Sequence, residues 1–389
     1  MIKESLISLY LYVYKICFSF FKLFSLKDKT VFLSTFGENA YFIANELSHS
    51  KAQQLIFINQ KRCKIDFSSI PTENKKIYSF ETWNFFDTLF GIYHLATSKH
   101  VFVDNYFGVL SVMDFREKVK CIQLWHATGA IKKFGWGVPE TEERSEKAKR
   151  RFQQVYDRFQ YIPVGSKQMS KIFSESFRLD PSRFLFTGVP QTDFYFDNKA
   201  KAHGLNRVKE KYPAVNGKKV VLYAPTYRNG FFDKVDIQLN IQDFLDQLDD
   251  NYLLMIRLHP SIQEAAQVPD HPRVILVNDY PHINELLLIS DILITDYSSI
   301  PFDFSFLRKK MIFFAYDLEA YNQTQGLWAE SDLYFPGPIV KTTTEVINHI
   351  IDPIIDFESI DHFKEHWNAF SAGNSSIKLV KQLYGKEDY

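Results

Sequence analysis

Cysteine is nearly absent from this chain. The three present, Cys17, Cys63 and Cys121, are scattered and have no metal-ligand spacing. That fits a reducing compartment and argues against a disulfide framework or a zinc site. An excess of charge of either sign is also missing, since 46 basic and 46 acidic side chains cancel. Nothing global therefore points to nucleic acid as a partner. The chain has no internal repeat and no low-complexity tract. No small-residue cleavage site follows the apolar N-terminus, which argues against a secretory signal. Lys15 breaks the N-terminal apolar run, which falls short of the about 20 mostly apolar residues that a spanning helix needs.

Aromatic residues, by contrast, are abundant. With 37 Phe and 21 Tyr, part of the surface is expected to meet lipid or a hydrophobic partner. The first 26 residues carry Leu6, Leu9, Tyr10, Tyr12, Val13, Ile16, Phe20 and Phe24, interrupted by Lys3, Lys15 and Lys22. This reads as an amphipathic, membrane-associated segment over residues 1–28 with aromatic and lysine anchors; packing on its own domain is the alternative. A hydrophobic content of 46% with 24% charged residues is globular. The 389 residues suffice for two domains with real cores.

Apolar runs alternate with helical stretches. Strands are expected over residues 30–34, 54–58, 100–104, 120–125 and 161–164, with helices over 39–48 and 81–97 between several of them. A second series follows Asn216-Gly217, with strands over 219–224, 252–258, 273–277, 291–295 and 311–316 and helices over 241–248, 283–289 and 302–307. Alternation of this kind predicts right-handed βαβ units and parallel sheets. The expected fold is α/β with two Rossmann-like domains, residues 29–200 and 201–389, and a cleft between them. Ligands of such sheets bind beyond the carboxyl ends of the strands. The charge-dense stretch Pro139–Arg151 reads as a solvated helical face, with an anion-binding role as the rarer alternative.

Four strand ends carry polar chemistry. In Asp291-Ile-Leu-Ile-Thr-Asp-Tyr-Ser-Ser-Ile-Pro-Phe-Asp303 a buried strand stops at a turn and feeds a helix whose first turn holds Pro301. Ser298 and Ser299 stand at that helix start, a place suited to phosphate; simple capping by Ser299 is an equal alternative. Asp303 is placed to accept from a sugar or glycerol hydroxyl, or to complement the helix dipole. In Gln123-Leu-Trp-His-Ala-Thr-Gly129 a strand delivers His126, a candidate general base, although a lone histidine is more often structural. Tyr223-Ala-Pro-Thr-Tyr-Arg228 offers Thr226 and Arg228, the latter a planar donor fork for phosphate or for a neighbouring carboxylate. In Arg257-Leu-His-Pro260 alternation puts Arg257 and His259 on one face, as a pyrophosphate clamp or as structural groups. Together these residues suit a transferase that uses a nucleotide-diphosphate donor.

Trp125-His126, Thr128-Gly129, Gly188-Val-Pro-Gln-Thr-Asp193, Ala224-Pro-Thr-Tyr-Arg228, Arg257-Leu-His-Pro260, Thr295-Asp-Tyr-Ser-Ser299 with Asp303, Phe314-Ala-Tyr-Asp317 and Pro336-Gly-Pro338 occur in one order. From about Thr30 to the C-terminal region this set resembles the CDP-glycerol glycerophosphotransferase family of teichoic acid primases and polymerases. The Trp-His-Ala form and compact length are more similar to the primase type. The resemblance implies a GT-B fold and an enzyme peripheral to the cytoplasmic face of the bacterial cell membrane. Its partners would be CDP-glycerol and an undecaprenyl-diphosphate-linked glycan acceptor, with no cofactor, and a homo-oligomer is compatible with it. It implies that His126 is the base on the acceptor hydroxyl and that His259 and Arg257 hold the donor pyrophosphate. Thr128, Gly129, Ala130, Gln191, Thr226, Arg228, Ser298, Ser299 and Asp303 would line the donor site. The family usually has arginine where Gln191 stands and an Arg-Gly pair where Gln325-Gly326 stands. Transfer from CDP-ribitol or a nucleotide sugar, and a non-catalytic scaffold for lipid-linked glycan, are the rival expectations.

Overall fold

The apolar runs form parallel strands buried on both faces. A computed structural model describes residues 2–49, 53–82, 84–226, 237–258, 268–324, 326–328 and 334–385. The chain divides into two packed units. The first comprises Met1–Ala127, Phe134–Asp193 and Asn368–Tyr389; the second comprises Thr128–Lys133 and Phe194–Trp367. The chain thus leaves the first unit between Asp193 and Phe194, a few residues before the expected boundary at 200, and its last segment belongs to the first unit.

In the first unit the strands are β1 (Lys27–Ser34), β2 (Gln54–Asn59), β3 (Lys75–Ser79), β4 (Ser98–Val103) and β5 (Lys120–Gln123), all parallel in the order β3-β2-β1-β4-β5. The short strands β6 (Ile162–Pro163) and β7 (Phe184–Leu185) pair with each other. Helices α1 (Ile2–Phe21), α2 (Glu38–Leu47), α3 (Phe85–Thr97), α4 (Glu146–Asp157) and α5 (Lys167–Phe177) surround the sheet. Register places Phe57, Phe32 and Phe102 side by side on three adjacent strands. Their rings stack at 5.3 and 5.1 Å, and each buried ring contributes about 1.5–3 kcal/mol. Strand β3 was not foreseen, because Lys75 and Lys76 on an edge strand break the apolar pattern.

The second unit carries α6 (Asn198–Lys211), β8 (Lys219–Tyr223), α7 (Ile241–Gln247), β9 (Tyr252–Ile256), β10 (Val274–Leu276), α8 (Ile283–Ile289) and β11 (Ile292–Thr295). It continues with α9 (Ile300–Phe304), β12 (Lys310–Phe314), α10 (Leu318–Thr324), β13 (Ile339–Val340) and α11 (Thr343–Ile351). The parallel order is β10-β9-β8-β11-β12-β13. Both sheets reverse strand order beside their first strand, between β1 and β4 and between β8 and β11, and ligands of open α/β sheets bind at such switch points. Leu254, Ile256, Ile294 and Phe314 of this sheet pack on Phe244 of α7 and on Val346 and Ile350 of α11.

Helix α12 (Phe357–Asn368) leads the chain back to the first unit, where α13 (Ser375–Tyr384) packs on α2. The Asp193 carboxylate accepts from Ser375 N and Ser376 N at 2.8 Å each, filling the orphan donors of the α13 start. At the other end of the chain, α1 buries Leu11, Tyr14 and Phe18 on the first unit, with Phe18 edge-on to Phe115. A second stripe at the same helical spacing, Leu6, Leu9, Val13, Ile16 and Phe20, is exposed. By length and composition alone Glu4–Phe21 could cross a membrane, a weak indication near an N-terminus.

Candidate active site

In the first unit, Leu33 pairs with Val103 and Val103 with Gln123. Strands β1, β4 and β5 therefore end in step. This sets three loops side by side: Thr35-Phe36-Gly37, Asp104-Asn105 and Trp125-His126. Gly37 has φ +97°, and a Cβ there would sit 2.8 Å from Cys63 Sγ, so only glycine fits this turn.

In many Rossmann units such a first turn receives a phosphate on its backbone N–H groups. Here the donors are taken. The buried Asp104 carboxylate accepts from Thr35 N at 2.8 Å, Phe36 N at 3.0 Å and Gly37 N at 2.8 Å. Burial pushes its carboxyl up to about 6, against the pull of those donors. The turn is filled by the chain's own carboxylate, and the imidazole of His126 lies beside it.

The His126 ring lies between Phe36 (4.3 Å) and Trp125 (4.4 Å), nearly parallel to both. Its Nδ1 is 3.2 Å from the Asp104 carbonyl oxygen. A carbonyl only accepts, so Nδ1 carries the proton and Nε2 keeps its lone pair. Burial pushes the imidazole down to about 4, with the Asp104 carbonyl opposing. The ring is therefore neutral at pH 7, and an anion brought beside it would raise its basicity.

In the second unit, β8 ends before Ala224-Pro225-Thr226 and β11 before Asp296-Tyr297-Ser298-Ser299. The buried Asp296 carboxylate ties the two loops. Its oxygens accept from Thr226 N at 2.9 and 3.1 Å, Thr226 Oγ1 at 2.5 Å and Tyr297 N at 2.7 Å. Thr295 Oγ1 donates to Ala224 O at 2.7 Å and lies 2.9 Å from Ser298 Oγ. The capping role falls to Ser298, whose Oγ accepts from Ile300 N at 3.2 Å; Ser299 at the N-cap position makes no side-chain cap bond. Helix α9 has only five residues, so its dipole is small and any anion held there depends mainly on hydroxyls and local N–H groups.

Asp303 is buried and accepts from Thr128 Oγ1 at 3.0 Å. It also faces the buried Tyr195, whose phenol is raised by burial and then by the Asp303 charge. The segment Thr128–Lys133 belongs to this second unit. Lys133 N donates to Gly326 O at 3.1 Å, Trp328 N donates to Ile131 O at 3.1 Å, and Gly129 abuts the Phe302 ring. Ala130 is buried there too. Tyr297 donates to Asp317 Oδ1 at 3.0 Å and stacks on Tyr321 at 3.9 Å, with Lys132 Nζ 5.5 Å from the Tyr321 ring centre.

The structure thus places Thr128, Gly129, Ala130, Thr226, Arg257, Ser298, Ser299 and Asp303 in the second unit, and His126 and Gln191 in the first. Arg257 Nη1 donates to Tyr280 O at 2.7 Å and Val277 O at 3.3 Å, so part of its fork secures the loop after β10. Gln191 is buried, with its N–H donating to Asn39 Oδ1 at 2.9 Å. His259, Arg228 and Gln325 lie outside the described residues, and so does the expected facing of His126 and His259. Among the described residues no group of three or more His, Cys, Asp or Glu side chains gathers to hold a metal. Sequence reasoning missed Asp104, Gln123 and Asn39 as supports of His126, and Tyr297 and Tyr321 as a stacked pair. The polar residue closing the β4 run was the available signal for Asp104.

The model of the CDP-Glycerol:Poly(glycerophosphate) glycerophosphotransferase family matches residues 16–385. The chain belongs to this family. It is 33% identical over 382 residues to the teichoic acid glycerol-phosphate primase of Bacillus subtilis (strain 168), covering 97% of both chains. It is 37% identical over 298 residues to the enzyme of the same description from Bacillus spizizenii, covering 76% of this chain and 77% of that one. The solved wall teichoic acid polymerase TagF superposes with a TM-score of 0.79 at 22% identity, covering 97% and 95%. That likeness establishes the GT-B fold class alone.

Proposed function

We propose that this family member transfers glycerol phosphate from CDP-glycerol to a hydroxyl of a lipid-linked glycan in teichoic acid synthesis, acting as a primase. The observation that carries the mechanism is the contact of His126 Nδ1 with the Asp104 carbonyl, which fixes the proton on Nδ1 and leaves the Nε2 lone pair for an acceptor proton. In the proposed step Nε2 takes the proton of the acceptor hydroxyl. The hydroxyl oxygen then attacks the glycerol-bearing phosphorus in line, and the bond to CMP breaks with its electron pair leaving on CMP. Little covalent work falls to the protein, so positioning and charge neutralisation supply most of the rate.

The roles divide between the units: acceptor activation by His126 in the first, and donor binding by Thr128, Thr226, Ser298 and Ser299 in the second. Arg257, His259 and Arg228 carry the proposed charge neutralisation on the departing CMP, with no metal assigned. The primase reading is supported by similarity along nearly the whole length of a glycerol-phosphate primase.

Seating on the cytoplasmic membrane face is proposed through the exposed stripe of α1 together with Phe85, Phe86 and Phe90 of α3, all exposed beside it. Lys147 and Arg150 of α4 lie on the same unit and are exposed. Aromatic, aliphatic and basic side chains together suit an anionic interface.

Mass spectrometry of products from a synthetic disaccharide-lipid acceptor tests the function, with CDP-glycerol, CDP-ribitol and nucleotide sugars supplied in parallel. One added glycerol phosphate is expected with CDP-glycerol. Many units would make the chain a polymerase, and a product only with another donor would overturn the substrate assignment. Donor binding with no product from any donor would favour the scaffold.

A further inference from the structure

Trp125 adopts φ +59°, a left-handed backbone at a bulky aromatic residue directly before His126. Few such residues take this conformation, and one persists only where the surroundings hold it. Glycine would make the same turn without strain. Tryptophan instead supplies a ring stacked on the imidazole at 4.4 Å and packed on Phe134 at 4.6 Å and Phe173 at 5.1 Å.

Both polar backbone groups of Trp125 are held by buried side-chain amides. Gln123, the last residue of β5, accepts from Trp125 N through Oε1 at 2.8 Å. Its Nε2 donates to Asn105 O at 3.1 Å. Asn39, in the first turn of α2, donates through Nδ2 to Trp125 O at 3.1 Å and to Leu124 O at 3.4 Å. Its Oδ1 accepts from Gln191 N at 2.9 Å. Each amide is therefore oriented at both ends, because its oxygen meets an N–H and its nitrogen a carbonyl. Asn105 follows Asp104, so Gln123 also steadies the loop whose carbonyl holds His126 Nδ1.

We propose that Gln123 and Asn39 are positioning residues for His126, acting through the left-handed backbone of Trp125. This rests on the reading of His126 as the base. Without the clamp the Trp125 peptide relaxes toward an ordinary backbone, the Trp125–His126–Phe36 stack opens, and Nε2 moves off line. A displacement of about 1 Å at a reacting group costs on the order of 100-fold in rate.

The test compares Gln123→Met, which keeps the volume and removes both hydrogen bonds, with Asn39→Asp, which keeps the acceptor for Gln191 N and removes the donor to Trp125 O. Gln123→Glu, which retains the acceptor for Trp125 N and loses the donor to Asn105 O, is the partial control. Steady-state kinetics with CDP-glycerol and a lipid acceptor are expected to show kcat down about 10- to 100-fold in Gln123→Met and Asn39→Asp. KM for CDP-glycerol should stay unchanged, and Gln123→Glu should keep a higher kcat than Gln123→Met because the Trp125 N–H stays paired. The acid limb of the kcat profile is expected to move up toward the ordinary histidine value of about 6.5 as the ring leaves its stack.

Wild-type kcat and pH profile in both folded variants would overturn the proposal. So would a loss tracked by falling melting temperature with no change of pH profile, since that marks a structural role alone. His126→Gln separates the two ideas. If it abolishes turnover while the clamp variants do not, the positioning inference fails and the base stands. If it retains turnover, the base reading fails and the clamp has nothing to position.

Discussion

Replacing Asp104 by asparagine sets burial directly against hydrogen bonding. The carboxylate is 1% exposed and receives three backbone N–H donors. Burial nevertheless raises its carboxyl from the ordinary 3.8 to about 6. Between about pH 4 and pH 6 the folded chain then binds more protons than the unfolded one, so this group's contribution to stability falls as pH rises through that window and is level above it. At about 1.4 kcal/mol per pH unit, the charged form costs about 3 kcal/mol at pH 7 relative to the acid. Asparagine does not titrate, but its amide nitrogen cannot accept, so at least one of the N–H donors of Thr35, Phe36 and Gly37 loses its partner, at a cost of about 1–3 kcal/mol that does not vary with pH. Asp104→Asn is therefore expected to be less stable than the wild type near pH 4 and to gain on it by about 3 kcal/mol between pH 4 and pH 7, a relative shift of about 6–12 °C in melting temperature. Thermal unfolding of both proteins at pH 4, 5, 6 and 7 measures this. A variant less stable than wild type at pH 7, with the gap widening from pH 4 upward, would refute the reasoning and show that the three donors outweigh burial.

Three further outcomes are expected. Lys29 is 1% exposed, donates to Thr97 Oγ1 at 2.6 Å and lies 2.9 Å from His94 Nδ1. Burial pushes its ammonium down to about 7, so the folded chain binds fewer protons than the unfolded one between about pH 7 and 10, and stability rises across that window. Lys29→Met should lack that rise, read as urea midpoints at pH 7 and 10; an unchanged rise would exclude Lys29 as its source. A Cβ on Gly129 would meet the Phe302 ring at 2.7 Å, and Phe302 is pinned by Phe363 and Trp367. Gly129→Ala should cost about 1–3 kcal/mol by overpacking, measured by denaturant unfolding, and a neutral effect would mean the Thr128–Lys133 segment shifts freely. The double substitution Leu9→Glu with Ile16→Glu on the exposed α1 stripe should abolish flotation with anionic vesicles while leaving the melting temperature unchanged; retained flotation would move the membrane seat elsewhere.

Much of the sheet scaffold was legible because parallel strands buried on both faces leave continuous apolar runs, as in Leu253–Ile256 and Ile292–Ile294. The strands that escaped notice were β3, β7 and β13, one an edge strand carrying lysines and two only two residues long. His126, Thr226, Ser298 and Asp303 stand out as candidates in the sequence because each ends or follows an apolar run. What holds them was not. Asp104 reaches the turn at residues 35–37, and Asn39 reaches Trp125 across more than 80 positions, so no local pattern records either contact. Membership of Thr128–Lys133 in the second unit depends on pairing with Gly326 and Trp328, again invisible to local periodicity. The backbone sign at Trp125 had no composition cue, because a left-handed turn ordinarily announces itself with glycine.

The most direct test of the account is the rate of CMP release from CDP-glycerol in the presence of a lipid-linked disaccharide acceptor, compared between the wild type and His126→Ala. Acceptor-dependent release by the wild type, reduced by about two to four powers of ten in the variant, is the expected result. Near-normal release by His126→Ala, or release by the wild type that ignores the acceptor, would contradict it.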